Sequence, residues 1–200
     1  MRSQRGTAGA IAVLAGLLWL VSLVGFGAAL PAYSHAQHPV ALAGAQGIPH
    51  ALAFNVLALI LPGLLAAWST WQLRSALDGT GWPARIGAHL LLLSALAFAA
   101  QGLLPLDVED LDAASSRLHA TAWSLWWISF APGALLLALR SRAFAVALLL
   151  VAIIVIAGTA MLPVGLAQRL GIAGWFALLA LAGHWIGRRS TSAADAPASH

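Results

Sequence analysis

Cysteine and lysine are both missing from this 200-residue sequence. The absence of cysteine excludes disulfides, thiolate metal sites and iron–sulfur clusters, and removes any thiol-based reading of redox compartment. The absence of lysine leaves ten arginines to carry all the positive charge, against six acids, for a formal net charge of +4. Charge of either sign is scarce: charged residues are 8% of the chain, where a soluble domain carries roughly 25%. A chain that is 61% hydrophobic has too little polar surface to face water all round. Lipid must be its main solvent, and in lipid the backbone has to satisfy its own hydrogen bonds, as helices do. The arginines stand singly or in pairs between apolar runs. The high pI therefore reports topology and implies no nucleic-acid partner.

The apolar runs are long enough to span a bilayer. Helices are expected near 11–30, 50–71, 84–104, 118–139 and 143–162, with a turn at 163–169 and a sixth helix running to 187. The first run could be read as a signal peptide cleaved near 32–36. It is longer than the usual ~7–15-residue signal core, and further spans follow. Pro62 and Pro132 fall inside the second and fourth helices, where a packed bundle tolerates a kink. The organisation is an N-terminal segment (1–10), one six-helix domain (11–187) and a disordered Ser/Ala-rich tail (188–200).

With the N-terminus inside, the inner side carries Arg2, Arg5, Arg74, Arg85, Arg140, Arg142, Arg188 and Arg189. The outer side carries only Arg117 and Arg169. The positive-inside rule then places both termini in the cytoplasm. The expected fold class is all-α: a polytopic six-transmembrane-helix bundle, N-in and C-in. Trp68, Trp71, Trp82 and Trp185 are expected at the inner interface, and Trp123 and Trp175 toward the outer one. Trp126 and Trp127 read as bundle filler. A faint internal echo relates His50-Ala-Leu-Ala-Phe and Leu61-Pro-Gly to His119-Ala-Thr-Ala-Trp and Ala131-Pro-Gly. Gly183 and Gly187 give the sixth helix a small-xxx-small face. A contact within the bundle is its first reading and a homo-oligomer contact the second.

What polarity there is gathers in one stretch, 103–123, LLPLDVEDLDAASSRLHATAW. It holds Asp107, Glu109, Asp110 and Asp112, four of the six acids, with Arg117 and His119. Glu109 and Asp110 read as a solvated rim, and Asp112 as an N-cap for the fourth helix. The loop at 31–49 has no arginine. It carries His35 and His38, with His50 just after, and an apolar patch at 40–45. It is expected to fold back over the bundle mouth and bring His35 to Asp107 and His119. Those three side chains would form a hydrogen-bonded cluster in a lipid-associated scaffold protein. Alternatively they would hold Zn²⁺ with an open position for water. Such a water attacks a lipid ester or amide, with Asp107 and His119 as the catalytic candidates. The chain has no HExxH signature. A triad built on Ser34 or Ser116 would lack the Gly-x-Ser-x-Gly elbow. A third reading is a b-type haem held by His50 with His119, or by His89 with His184. Asn55 and Gln101 read as interhelical hydrogen bonds.

The segments AYSHAQHPVALAGA at 32–45, PHALAFN at 49–55 and LPGLL at 61–65 resemble bacterial membrane proteins of the domain-of-unknown-function 998 family (DUF998). Tyr33-Ser34-His35 resembles that family's Tyr-Ser-His at the exit of helix one. Leu103-Leu104-Pro105-Leu106-Asp107 and Leu118-His119 resemble its later motif. The family's Ser-Glu-Leu-Gly-like element is VALAG here, at 40–44, without the acid. The resemblance covers 11–187. A more remote similarity is to six-helix lipid-handling proteins of the FRAG1/DRAM type. The resemblance implies a small multi-pass protein of the bacterial inner membrane, with membrane lipids as partners, and no particular reaction.

Overall fold

The computed structural model describes residues 7–194, with side chains to 184. Among the described residues every regular element is helical. Six helices follow one another: α1 (Thr7–Ala29), α2 (Ala51–Ala76), α3 (Trp82–Leu103), α4 (Ala114–Ala138), α5 (Arg142–Met161) and α6 (Val164–Ala194). Each contains a stretch long and apolar enough to cross a membrane. Residues 1–6 of the expected N-terminal segment and 195–200 of the expected tail lie outside the described residues, whereas 188–194 continue α6.

The expected turn at 163–169 is instead the first part of α6. Pro163 stands just before the helix, and its carbonyl accepts the Ala167 N–H at 3.1 Å. A proline at a helix start has a suitable φ and lacks only an N–H that would find no helical partner. The earlier start lowers Trp175 into the bundle. It lies eleven residues beyond Val164, roughly 16 Å along the axis at 1.5 Å per residue. Trp175 is accordingly fully buried rather than interfacial.

α2 contains one wide turn, Asn55–Ile60, where the Leu61 N–H bonds the Val56 carbonyl five residues back. Pro62 follows and has no N–H to offer Ala58. The π turn thus sits immediately before the proline. This part of α2 lies hard against α3. A Cβ on Gly102 would meet the Asn55 carbonyl and the Ile60 side chain at 2.8 and 2.7 Å.

Hydrocarbon chains are as apolar as leucine, so close van der Waals packing between small residues holds such helices together. α3 is the centre, packed most extensively on α4 and then on α2. Gly63 of α2 lies against Ala99, and Gly133 of α4 lies against Gly87. The two Pro-Gly pairs of the internal echo therefore do one job, letting a helix approach α3. On the other side α1 packs on α6 and α2. Gly183 meets Gly9 there, a contact within the bundle. α5 is peripheral, with Leu149, Leu150, Ile153, Ile154 and Ile156 exposed. Trp126, Trp175 and Phe98 fill the centre. Phe98 and Trp175 centroids are 4.9 Å apart, and Trp126 meets Trp175 edge-on at 5.6 Å.

Ser69 Oγ donates to the Ala8 carbonyl at 2.7 Å, which puts the start of α1 beside the end of α2. Trp68, Trp71 and Trp82 are exposed in the same region. The opposite, acidic end holds the candidate site.

Candidate functional site

At the acidic end the segment joining α1 to α2 folds back over the bundle, as expected. Val40, Ala43 and Ala45 are buried, and the turn Val40–Gly44 is a single 3-10 element. Polar bonds pin it on every side. The Val40 N–H donates to Gln168 Oε1 at 3.0 Å, and Asn55 Nδ2 donates to the Gly44 carbonyl at 2.9 Å. The Gln46 N–H donates to the Leu106 carbonyl at 2.8 Å, and its side-chain amide to Ser115 Oγ at 3.0 Å.

The first part of this cap goes elsewhere than expected. His35 lies against α6, where Arg169 collects it. Arg169 Nη2 donates to Tyr33 Oη at 2.7 Å and to His35 Nδ1 at 3.3 Å. Nη1 donates to the carbonyls of Gly165 at 2.7 Å and His38 at 3.0 Å. Two glycines make the seat. A Cβ on Gly27 would overlap the His35 ring, and one on Gly165 would meet the carbonyl oxygens of Ala36, His38 and His35 at 2.6, 2.6 and 2.7 Å. Arg169 was hidden from sequence reading because its region looked like a turn. On a helix it points steadily at the cap.

Burial raises the Tyr33 hydroxyl above its usual value, against the opposing pull of Arg169. Burial, and after it the Arg169 charge, hold the His35 imidazole below its usual value. The folded chain therefore binds fewer protons than the unfolded chain in the window just under about pH 6.5. The stabilisation is complete above that pH and is lost as pH falls toward the depressed native value. Around His35 stand Arg169, Tyr33 and His38, whose Nδ1 accepts the Ser34 N–H at 3.1 Å. Backbone hydrogen exchange at 34–38, corrected for intrinsic rates, should rise as pH falls from about 6.5 to about 5. His35→Gln should flatten that dependence. Constant protection in the parent protein would contradict this account.

Asp107 has its own local partners. Its Oδ1 accepts the N–H groups of Glu109 at 3.0 Å and Asp110 at 3.3 Å. Asp110 Oδ1 accepts the Asp112 N–H at 2.9 Å. These are successive turns in which a carboxylate satisfies its own backbone. Asp112 does not cap α4: the cap is Ala113, without a side-chain bond. Ser116 Oγ accepts the Asp107 N–H at 3.0 Å and lies within bonding distance of the Asp107 and Asp110 carbonyls. It is a fastener for this connection and has no histidine partner.

His35, Asp107 and His119 are thus not brought together as a metal set. Among the described residues no group of three His, Cys, Asp or Glu side chains is placed to hold a metal ion. The haem pairings fare no better. His50, His89 and His184 are exposed. His89 is occupied by Arg74 Nε at 2.9 Å and the Arg85 carbonyl at 2.7 Å. Neither α2 with α4 nor α3 with α6 is among the bundle's well-packed helix pairs.

What the structure does build is a cavity of about 250 Å³ beneath the cap. Its walls include Val40, Phe98 and Trp123, with Gln101, His119 and Gln168 as the polar members. His119 Nδ1 lies 2.8 Å from the Leu104 carbonyl. A carbonyl only accepts, so Nδ1 carries the proton, and in the neutral ring Nε2 is then the acceptor. Gln101 is 3% exposed and its Nε2 has no partner, so the interhelical bond expected of it is not made. An unsatisfied buried donor costs about 1–3 kcal/mol. A second opening of about 480 Å³ lies between α4, α5 and the start of α6. It shares Trp123 and Gln168 with the cavity, and its wall residue Ile156 is 69% exposed.

No family model, curated protein or solved structure matches this chain. The resemblance to the DUF998 proteins stands on its quoted residues alone.

Proposed function

We propose that this chain is a lipid-binding integral membrane protein. The polar part of one lipid enters the cavity under the cap, and an acyl chain occupies the cleft between α4 and α5. The observation that carries this reading is Gln101, a buried amide with an unpartnered donor at a small cavity in a hydrocarbon-rich bundle. The adjoining cleft supplies an apolar berth on the lipid side. The reading keeps the lipid-associated scaffold expectation and moves its site from an Asp107 cluster to His119 and Gln101. A metal-dependent hydrolase receives no support from the donor geometry, since His35 and Asp107 have other partners.

The proposed setting is the bacterial inner membrane with both termini in the cytoplasm. The eight-to-two arginine distribution supports that orientation, and the DUF998 resemblance supports the setting. The cavity then opens toward the outer leaflet.

The test uses a lipid with a photoactivatable group near the middle of one acyl chain. Reconstituted protein should be labelled preferentially on Trp127, Val155 and Thr159, which line the cleft. Labelling spread evenly over the exposed faces of α1 and α5 would mean ordinary annular contact and would sink the reading.

A further inference from the structure

Resting on that lipid-binding reading, we infer that the lipid is uncharged and carries a free hydroxyl, as a diacylglycerol or a long-chain alcohol does. Three polar side chains line the cavity, His119, Gln101 and Gln168. The acceptor is Nε2 of a neutral His119 ring, because Nδ1–H is given to Leu104. A donor is the Gln101 amide, 3% exposed; its Nε2 is sealed in without a partner and reaches a ligand by rotation of the amide end. Gln168 has its oxygen engaged by Val40, and its amide nitrogen is a second donor. No Asp, Glu or Arg side chain is in the wall.

Three headgroup chemistries can be compared against this wall. A phosphate or carboxylate would enter without a counter-charge, and an unpaired buried ion is strongly disfavoured. The nearest guanidinium in sequence, Arg169 beside Gln168, already directs its Nη groups at Tyr33, His35, His38 and Gly165. An ammonium headgroup would likewise lack a carboxylate. An ester or ketone oxygen can accept from Gln101 but leaves His119 Nε2 bare. A hydroxyl donates to His119 and accepts from Gln101 with one atom. It suits the amide whichever end is turned toward it. The cavity of about 250 Å³ has room for a glycerol-sized group, with the chain leaving past Trp123.

The experiment is competitive binding to full-length protein in detergent, read by native mass spectrometry. The probes are dioleoylglycerol, its 3-acetyl derivative, hexadecanol, dioleoyl-phosphatidylcholine and dioleoyl-phosphatidic acid. Dioleoylglycerol should bind at least about tenfold more tightly than its acetylated form, the scale expected for a lost buried hydrogen-bond pair. Gln101→Leu and His119→Phe should each lower dioleoylglycerol binding about tenfold, and His119→Phe should leave the acetylated lipid unchanged. Hexadecanol matching dioleoylglycerol would assign recognition to the hydroxyl alone. Hexadecanol binding much more weakly would assign it to the hydroxyl together with the glyceride. Equal binding of the acetylated lipid, or tighter binding of phosphatidic acid, overturns the hydroxyl inference while leaving lipid binding in place. Failure of all five probes to bind overturns both. If a variant does not fold, the ranking of probes on the parent protein still decides.

Discussion

Gly165→Ala should loosen the cap, although helix propensity alone argues the reverse. Inside an α-helix alanine is favoured over glycine by about 1 kcal/mol. At Gly165 the added methyl meets three carbonyl oxygens at 2.6–2.7 Å, closer than real Cβ contacts come. The oxygens belong to the cap backbone, so relief requires the 35–38 segment to lift. Lifting breaks the bond from the Leu166 N–H to Ala36 and the Arg169 bond to His38. Two such bonds are worth about 1–3 kcal/mol together, and a charged donor raises the figure. Backbone exchange at 34–38 should therefore speed up by one to two orders of magnitude. Gly25 is the control, since nothing lies within 4 Å of a Cβ placed there. Gly25→Ala should be neutral or stabilising. If both substitutions stabilise, Gly165 is not a seat for the cap.

Trp126→Ala should be the most destabilising single change in the centre of the bundle. The ring is fully buried and its centroid lies 5.6 Å from Phe98, 4.9 Å from Trp123, 4.4 Å from Trp127 and 5.6 Å from Trp175. Truncating a buried tryptophan in a soluble core costs about 3–5 kcal/mol. Two effects lower the figure here. Lipid solvates an indole better than water does, which shrinks the transfer contribution and leaves packing. The indole N–H has no partner, so its removal relieves a penalty of about 1–3 kcal/mol. The balance is a loss of about 1–2 kcal/mol, read as a shifted midpoint in a denaturing-detergent titration. Trp126→Phe keeps most of the packing and drops the unpartnered donor, so it should cost less than about 1 kcal/mol. A Trp126→Ala midpoint equal to that of the parent would mean that this aromatic centre does not hold the bundle.

Six spans were legible in the sequence because length and hydropathy alone decide them, and each boundary moved by only a few residues except at the end of α6, which runs on to Ala194, and at its start. There, the sequence suggests a turn over 163–169, and Pro163 instead leads straight into a helix. That single reversal mislaid two things: Trp175, which belongs in the core, and Arg169, which belongs to the cap. The fold-back of residues 31–49 was legible from its missing arginines and its apolar patch. Its destination was not. Sequence showed two histidines and nearby acids, which suggested attraction. It could not show that Asp107 and Asp110 are consumed by their own backbone. Nor could it show that Gly27 and Gly165 carve a seat for the cap beside α1 and α6. His119 was singled out for a site, and it does line the cavity. Gln101 was read as an ordinary interhelical bond, and only its missing partner reveals otherwise.

The wide turn in α2 also says how this region would respond to a change in chain length. A π turn holds one residue more than the α turn it replaces. Deleting one residue from 55–60 would let α2 close into a regular helix. The residues on either side would keep their faces, because the turn still closes with one residue fewer. Asn55 would stay on the Gly44 carbonyl and the cap would keep its anchor on α2. The C-terminal part of α2, from Gly63 onward, would keep its contact with Ala99. A deletion from a regular stretch of α2 would instead rotate one flank against the other by about 100°, the angle between successive residues at 3.6 per turn. The wide turn is thus the one place where α2 can lose a residue and spare both the cavity and the bundle.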